Sequence, residues 1–182
     1  MKVLIVYADG FEDVEALTTR DVLVRAGIEV TDAKINDDSE IVVSSHKVAL
    51  MGFKSLKNIN VNEYDTIVLP GGSRGVNNLL ASDKVSDLLI EFNKANKLIC
   101  AICAAPMVLN KAGLLKGHKY TCYPGCEEGL EGDYTGEEVV VLDKMITARS
   151  MLYSIPFGLA IIEKLLGREK REQIYKQISG LC

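Results

Sequence analysis

The sequence predicts an α/β fold built on a mostly parallel, doubly wound sheet, and three observations predict it. Short apolar, β-branched runs such as Val3-Leu4-Ile5-Val6 and Thr66-Ile67-Val68-Leu69 alternate with segments of helical periodicity, the signature of βαβ units. Two of these runs end in turn-forming residues, Asp9-Gly10 and Gly71-Gly72. A third, Lys97-Leu98-Ile99-Cys100-Ala101-Ile102, meets Cys103 and a small-residue helix start, Ala104-Ala105-Pro106. The 182 residues, 48% hydrophobic and 25% charged, are enough for one domain over 1–182 with a substantial core, and no repeat, low-complexity stretch or linker divides them.

Residues 3–7 are the first strand. Ala8-Asp9-Gly10 then turns the chain into a helix over 12–26, with Val14, Leu17, Val22 and either Leu23 or Val24 on its buried side and Gly27 as its stop. Residues 29–33 are the second strand. Residues 41–44 and 47–51 read as an antiparallel pair around a Ser45-His46 turn. The central strand over 66–69 is followed by its helix over 83–95, and the strand over 97–102 by a helix over 104–112 that Gly113 closes. Short strands near 119–122, 139–142 and 145–148 precede helices over 155–166 and 169–178. Residues 124–136, rich in Gly and Glu, read as an ordered loop beside the site.

Charge and hydropathy narrow the function. A net charge of −4 argues against nucleic acid or an anionic membrane as the main partner, since both need a basic face. A small neutral or polar ligand fits better. No apolar run approaches the ~18 residues of a membrane span, and Met1-Lys2 leads directly into the first strand without a signal-peptide pattern. The expected location is the cytoplasm, where the five cysteines are reduced thiols.

In a doubly wound sheet, groups at the C-terminal ends of neighbouring strands converge on one crevice. Here the first strand delivers Asp9, Gly10 and, one turn into its helix, Glu15; the 66–69 strand delivers Gly71 and Gly72; the 97–102 strand delivers Cys103. A thiol at a sharp strand-to-helix turn faces the first unpaired N–H groups of the helix, which favour thiolate. Glu15, kept neutral by burial, is a candidate acid beside the sulfur. An N–H from Gly71 or Gly72 together with that of Ala104 is a candidate oxyanion hole. The plainer alternatives are a buried structural cysteine, a solvated helix carboxylate and an ordinary turn.

Three segments, Tyr7-Ala8-Asp9-Gly10-Phe11-Glu12-Asp13-Val14-Glu15, Val68-Leu69-Pro70-Gly71-Gly72 and Ala101-Ile102-Cys103-Ala104-Ala105-Pro106, resemble the ThiJ/PfpI family. That family lies within the class I glutamine-amidotransferase-like superfamily, and the resemblance is strongest to its DJ-one (Parkinson-linked protein deglycase) branch, over nearly the whole chain. It implies a flavodoxin-like (Rossmann-like) three-layer sandwich with helices on both faces, a nucleophile elbow, a homodimer and no cofactor. Cys103 resembles the oxidisable nucleophile, Glu15 its carboxyl partner, and Gly72 and Ala104 the backbone donors.

Departures from the family pattern limit the substrate inference. Proteolytic members place histidine directly after the cysteine, where this chain has Ala104, so a peptidase is disfavoured. Tyr123, before Pro124, stands where animal deglycases carry histidine, and it is a poor base near neutral pH. The family's glycine-proline pair after Thr-Ser-Arg is replaced in Thr147-Ala148-Arg149-Ser150-Met151-Leu152-Tyr153. Arg149 keeps the matching place, either to bind a carboxylate or as a structural ion pair. His46 lies near where the family has a basic residue from the partner subunit, or is a plain surface histidine. A role in thiazole biosynthesis finds no support in the residues.

Cys100 and Cys103 have CxxC spacing. Three residues of extended strand span ~10 Å and set the two side chains on opposite faces, beyond the ~7 Å between Cα atoms that a disulfide allows. Cys122 or Cys126 is the better resolving partner. No metal site is expected, because His46 and His118 are isolated. Gly71-Gly72-Ser73-Arg74-Gly75 lacks both the dinucleotide fingerprint and the P-loop lysine.

Two function classes remain. In the first, Cys103 attacks the carbonyl of a reactive 2-oxoaldehyde in glyoxalase- or deglycase-like chemistry, with Glu15 shuttling protons. In the second, the chain is a stress sensor or chaperone without turnover, in which an oxidant converts Cys103 to sulfinate.

Overall fold

The computed structural model describes residues 1–181, and its elements follow the expected alternation. β1 (Lys2–Tyr7) leads through α1 (Asp13–Arg25) to β2 (Glu29–Lys34), the antiparallel hairpin β3 (Ile41–Val43) and β4 (Ala49–Met51), and the short β5 (Lys54–Ser55). Then come β6 (Thr66–Leu69), α2 (Ser73–Leu80), α3 (Asp83–Lys94), β7 (Leu98–Ile102) and α4 (Pro106–Lys111). β8 (Lys119–Tyr120), β9 (Asp133–Tyr134), β10 (Val139–Val141), β11 (Met145–Ala148), α5 (Ser154–Leu166) and α6 (Arg168–Ser179) complete the chain.

The main sheet has seven strands in the order β10-β11-β7-β6-β1-β2-β5, parallel except for the edge strand β10. Period-two alternation sends Leu4, Val6, Ile67, Leu69, Ile99 and Ala101 to one face, where they pack with Val76 and Leu79 of α2, Leu89 and Phe92 of α3 and Leu109 of α4. Ile5, Tyr7, Val68, Cys100 and Ile146 point to the other face, against Val22 and Leu23 of α1, Phe157 and Ile161 of α5 and Ile174 of α6. Burial on both faces is why the central strands read as unbroken hydrophobic runs. This is the mostly parallel three-layer α/β sandwich of the flavodoxin-like class.

Four local expectations are corrected. On α1 the buried residues are Glu15, Ala16, Thr19, Val22 and Leu23, whereas Val14, Leu17 and Val24 are exposed. Two inward positions carry polar side chains, so the apolar pattern points to the wrong stripe. α2 was not anticipated, because Gly75, Asn77 and Asn78 are weak helix formers. Tertiary packing overrides that preference: a Cβ on Gly75 would stand 2.8 Å from the Phe11 amide nitrogen, so glycine lets α2 close onto the loop after β1. α4 begins at Pro106 rather than at residue 104, with Cys103-Ala104-Ala105 forming a separate turn. β9 falls inside the expected 124–136 loop, where it pairs with β8.

Register sets the site. Leu69 is level with Ala101 across β6 and β7, and Ile102 with Ala148 across β7 and β11. Two residues beyond Leu69 and Ala101, Gly71 and Cys103 therefore emerge side by side at the C-terminal edge.

A reactive-cysteine site at the strand ends

Cys103 is one of three non-glycine residues with positive φ among the described residues, at 63°. For a residue with a Cβ this left-handed conformation costs roughly 1–2 kcal/mol, so the surroundings must hold it. They do so through both of its backbone groups: its N–H donates to Ala148 O at 2.9 Å, and its carbonyl accepts from the Tyr123 N–H at 2.9 Å. The turn presents the half-buried thiol to the crevice instead of sending it into the sheet.

Glu15 reaches the same point from the first turn of α1, where it is 1% exposed. Glu12 caps that helix, its carboxylate accepting from the Glu15 N–H at 2.7 Å. Glu15 Oε2 accepts from the Gly71 N–H at 2.8 Å. Its other oxygen, Oε1, is buried without a hydrogen-bond partner, and the Cys103 thiol lies close enough to act on the carboxyl. Burial pushes the Glu15 carboxyl up to about 7, with the nearby Glu12 charge adding to the rise, while the bonds from Cys103 and Gly71 oppose it.

The same environment pushes the Cys103 thiol up, first through burial and then through the charge of ionised Glu15. The N–H groups of Ala104 and Gly72 reach the sulfur and act in the opposite direction. The expectation that helix-start donors alone favour thiolate is thus corrected, since desolvation and Glu15 outweigh them. The carboxyl and the thiol titrate as a coupled pair. When Glu15 carries its proton, the repulsive charge is gone and the carboxyl is a donor to the sulfur.

The N–H groups of Gly72 and Ala104 thus lie at the thiol. Gly71 instead commits its N–H to Glu15. Its contribution is space, because a Cβ there would lie 2.5 Å from Glu15 Oε2 and 2.7 Å from Cys103 Cβ.

Above the thiol lies a cavity of about 690 Å³. Tyr123 lines it, and so does Cys126, one of the two resolving cysteines the sequence offers; Glu12, Val76 and Met107 line it too and are not among the expected site residues. Met107 carries a readable signal, one turn after Cys103; Val76 does not, because Gly75, Asn77 and Asn78 mask α2 as a helix. Two other expected residues sit elsewhere. Arg149 donates to Gly136 O at 2.9 Å and to the Tyr153 hydroxyl, and its guanidinium lies 4.8 Å from the Tyr153 ring centroid, so it braces β11 rather than lining the cysteine cavity. His46 is highly exposed, its Nδ1 2.8 Å from Asp13 Oδ2, and the cavity is lined instead by its neighbour Ser45.

Glu12, Asp13 and His46 bring three potential ligand atoms within 4.8 Å of one another. Asp13 accepts from Ser44 and Ser45 as well as meeting His46, and Glu12 caps α1, so these carboxylates already serve to pin the hairpin to the helix start. Burial pushes Asp13 upward, but the Ser44, His46 and Ser45 bonds together hold its carboxyl below the usual range.

The geometry agrees with comparison to known proteins. The chain is 32% identical over 170 residues to the glutathione-independent glyoxalase DJR-1.2 of Caenorhabditis elegans, covering 92% of this chain and 89% of that protein. It is 40% identical over 177 residues to protein DJ-1 homolog B of Arabidopsis thaliana, covering 96% of this chain but only 40% of that longer protein. The crystal structure of Drosophila melanogaster DJ-1beta superposes with a TM-score of 0.92 at 35% identity, over 98% of this chain and 97% of that one. The model of the DJ-1/PfpI family matches residues 1–164, and with the strand-end cysteine and carboxyl in place the chain belongs to that family.

Proposed function

We propose that the chain converts a small 2-oxoaldehyde such as methylglyoxal into the corresponding 2-hydroxy acid, without a cofactor, through Cys103 and Glu15. The observation that carries this reading is a buried carboxyl, raised to about 7, beside a thiol that lines an open cavity. Its similarity to a glutathione-independent glyoxalase supports the same chemistry.

Ionised Glu15 takes the thiol proton as the Cys103 sulfur adds to the aldehyde carbon, and returns it to the oxyanion that the Ala104 and Gly72 N–H groups hold. Glu15 then carries the aldehyde proton to the neighbouring carbon, which leaves the first carbon at thioester level and the second as an alcohol. Water releases the hydroxy acid and restores the thiol, so one water is consumed and no electrons leave the substrate. A carboxyl poised near neutrality suits both directions of proton transfer.

Lactate formation from methylglyoxal without glutathione tests the reading. Wild type forms lactate and Cys103→Ser does not; inactive wild type sinks it. In the second reading Cys103 becomes a sulfinate in a redox sensor or chaperone, and the Ala104, Gly72 and Glu15 donors around the sulfur also suit those oxygens. Peroxide oxidation confined to Cys103 in a chain that turns over no aldehyde favours it.

The proposal includes a cytoplasmic homodimer. Exposed apolar Val14 and Leu17 on α1, with Ile41, Val48 and Met51 on the hairpin fastened to it, support a second copy as the covering partner. No described helix is long and apolar enough to cross a membrane. Light scattering reads the assembly directly, and a monomer at micromolar concentration rejects it.

A further inference from the structure

We propose that Cys126 is the second thiol of a redox pair with Cys103, closing to an intramolecular disulfide when a hydroperoxide enters the cavity. The inference rests on the reactivity of Cys103 but not on aldehyde turnover.

Both cysteines line the 690 Å³ cavity. Their backbones are two hydrogen bonds apart. Tyr123 N–H donates to Cys103 O, and Cys126 N–H donates to Tyr123 O, each at 2.9 Å. The second bond closes the turn Tyr123-Pro124-Gly125-Cys126, in which proline and a glycine at φ 91° occupy the central positions of a type II turn. Such a turn keeps its first and last Cα atoms within ~7 Å, which brings Cys126 to the mouth of the crevice beside Tyr123. A Cβ at Gly125 would meet nothing within 4 Å, so the turn has open space on that side in which to shift and bring the sulfurs to bonding distance.

The other described cysteines are placed differently. Cys100 is fully buried among residues packed against α5, and Cys122 is fully buried in the cluster that Cys126 packs against, without lining the cavity. Cys126 is only partly buried, and of the two cysteines in the 122–126 segment it is the one that faces the cavity.

The chemistry balances with a hydroperoxide as oxidant. Ionised Glu15 takes the Cys103 thiol proton as the sulfur attacks the peroxide oxygen; an S–O bond forms, the O–O bond breaks, and that proton passes to the leaving alkoxide or hydroxide. Cys126 gives its thiol proton to ionised Glu15 or solvent as it attacks the sulfenic sulfur; the S–S bond forms, the S–O bond breaks, and the proton leaves with the hydroxide as water. Two thiols and one hydroperoxide give a disulfide, an alcohol or water, and water. A dithiol reductant restores the pair.

The test treats the reduced full-length chain with one equivalent of hydrogen peroxide, without aldehyde, followed by non-reducing digestion and mass spectrometry. The expected result is a loss of 2 Da per chain, ~2 hydrogen masses, located in a peptide pair linking Cys103 to Cys126. Cys122→Ser retains that link. Cys126→Ser loses it, and a second equivalent of peroxide then carries Cys103 onward to sulfinate. A Cys122–Cys126 link, or wild-type Cys103 becoming sulfinate while Cys126 stays reduced, overturns the proposal. Lactate assays under reducing conditions report on the glyoxalase reading separately, so either idea can fail alone.

Discussion

The C-terminal ends of β7 and β11 are neighbours in one parallel sheet, joined by the Cys103 N–H to Ala148 O bond, yet they are built for different purposes. After β11, Arg149 spends its donors on Gly136 O and Tyr153 and stacks on the Tyr153 ring. After β7, Cys103 holds a left-handed backbone, Glu15 Oε1 lacks a nitrogen or oxygen partner, and an open cavity stands above them. Position at a strand end is common to both. Chemistry follows the end whose polar groups are left incompletely satisfied, because only those groups retain binding capacity for a substrate.

That contrast can be broken by substitution. The largest expected effect is at the nucleophile, where Cys103→Ser lowers kcat/KM for methylglyoxal by about 10³-fold or more with the fold intact by circular dichroism.

Glu15→Gln comes next and is read in stability. The Glu15 carboxyl is raised from its ordinary 4.5 to about 7, so between those values the folded chain holds a proton that the unfolded chain has released. Stability therefore falls as pH rises through this window, by roughly 3 kcal/mol in the limit. The glutamine variant lacks this fall, and urea unfolding at pH 4.5, 6 and 8 measures it. Equal pH slopes in both proteins contradict the assignment.

Gly71→Ala forces a Cβ to 2.5 Å from Glu15 Oε2 and 3.0 Å from Ile102 O, and lowers stability by about 1–3 kcal/mol while displacing the acid from the thiol. The smallest effect is expected across the divide. Arg149→Ala costs about 1 kcal/mol of stability through lost hydrogen bonds and stacking and leaves turnover within about twofold. A tenfold loss of turnover would join the two strand ends into one site.

The layered fold was legible because its signals are long and redundant, with buried strands such as Val3 to Tyr7 and glycine stops such as Gly27. The Cys103 elbow was legible too, since a cysteine between a buried strand and an Ala-Ala-Pro start has a distinctive local pattern. What escaped depends on tertiary context. Glu15 and Thr19 occupy the inward stripe of α1, a choice no hydrophobic periodicity reports. α2 persists despite Gly75 and two asparagines because its glycine packs against the first loop. Arg149 and His46 have site-like chemistry in sequence, but their nearest partners, Tyr153 and Asp13, engage them in the fold. Cys126 enters the cavity through a four-residue turn whose position relative to Cys103 depends on a bond between residues 20 apart, Tyr123 N–H to Cys103 O.

The central claim is that Glu15 and Cys103 share a proton-handling site, and carbon-13 NMR titration of the Glu15 carboxyl tests it most directly. The account predicts a midpoint near 7 in wild type, moving higher in Cys103→Ala as the thiol's hydrogen bond is removed. A midpoint near the ordinary 4.5, unchanged by the substitution, would contradict it.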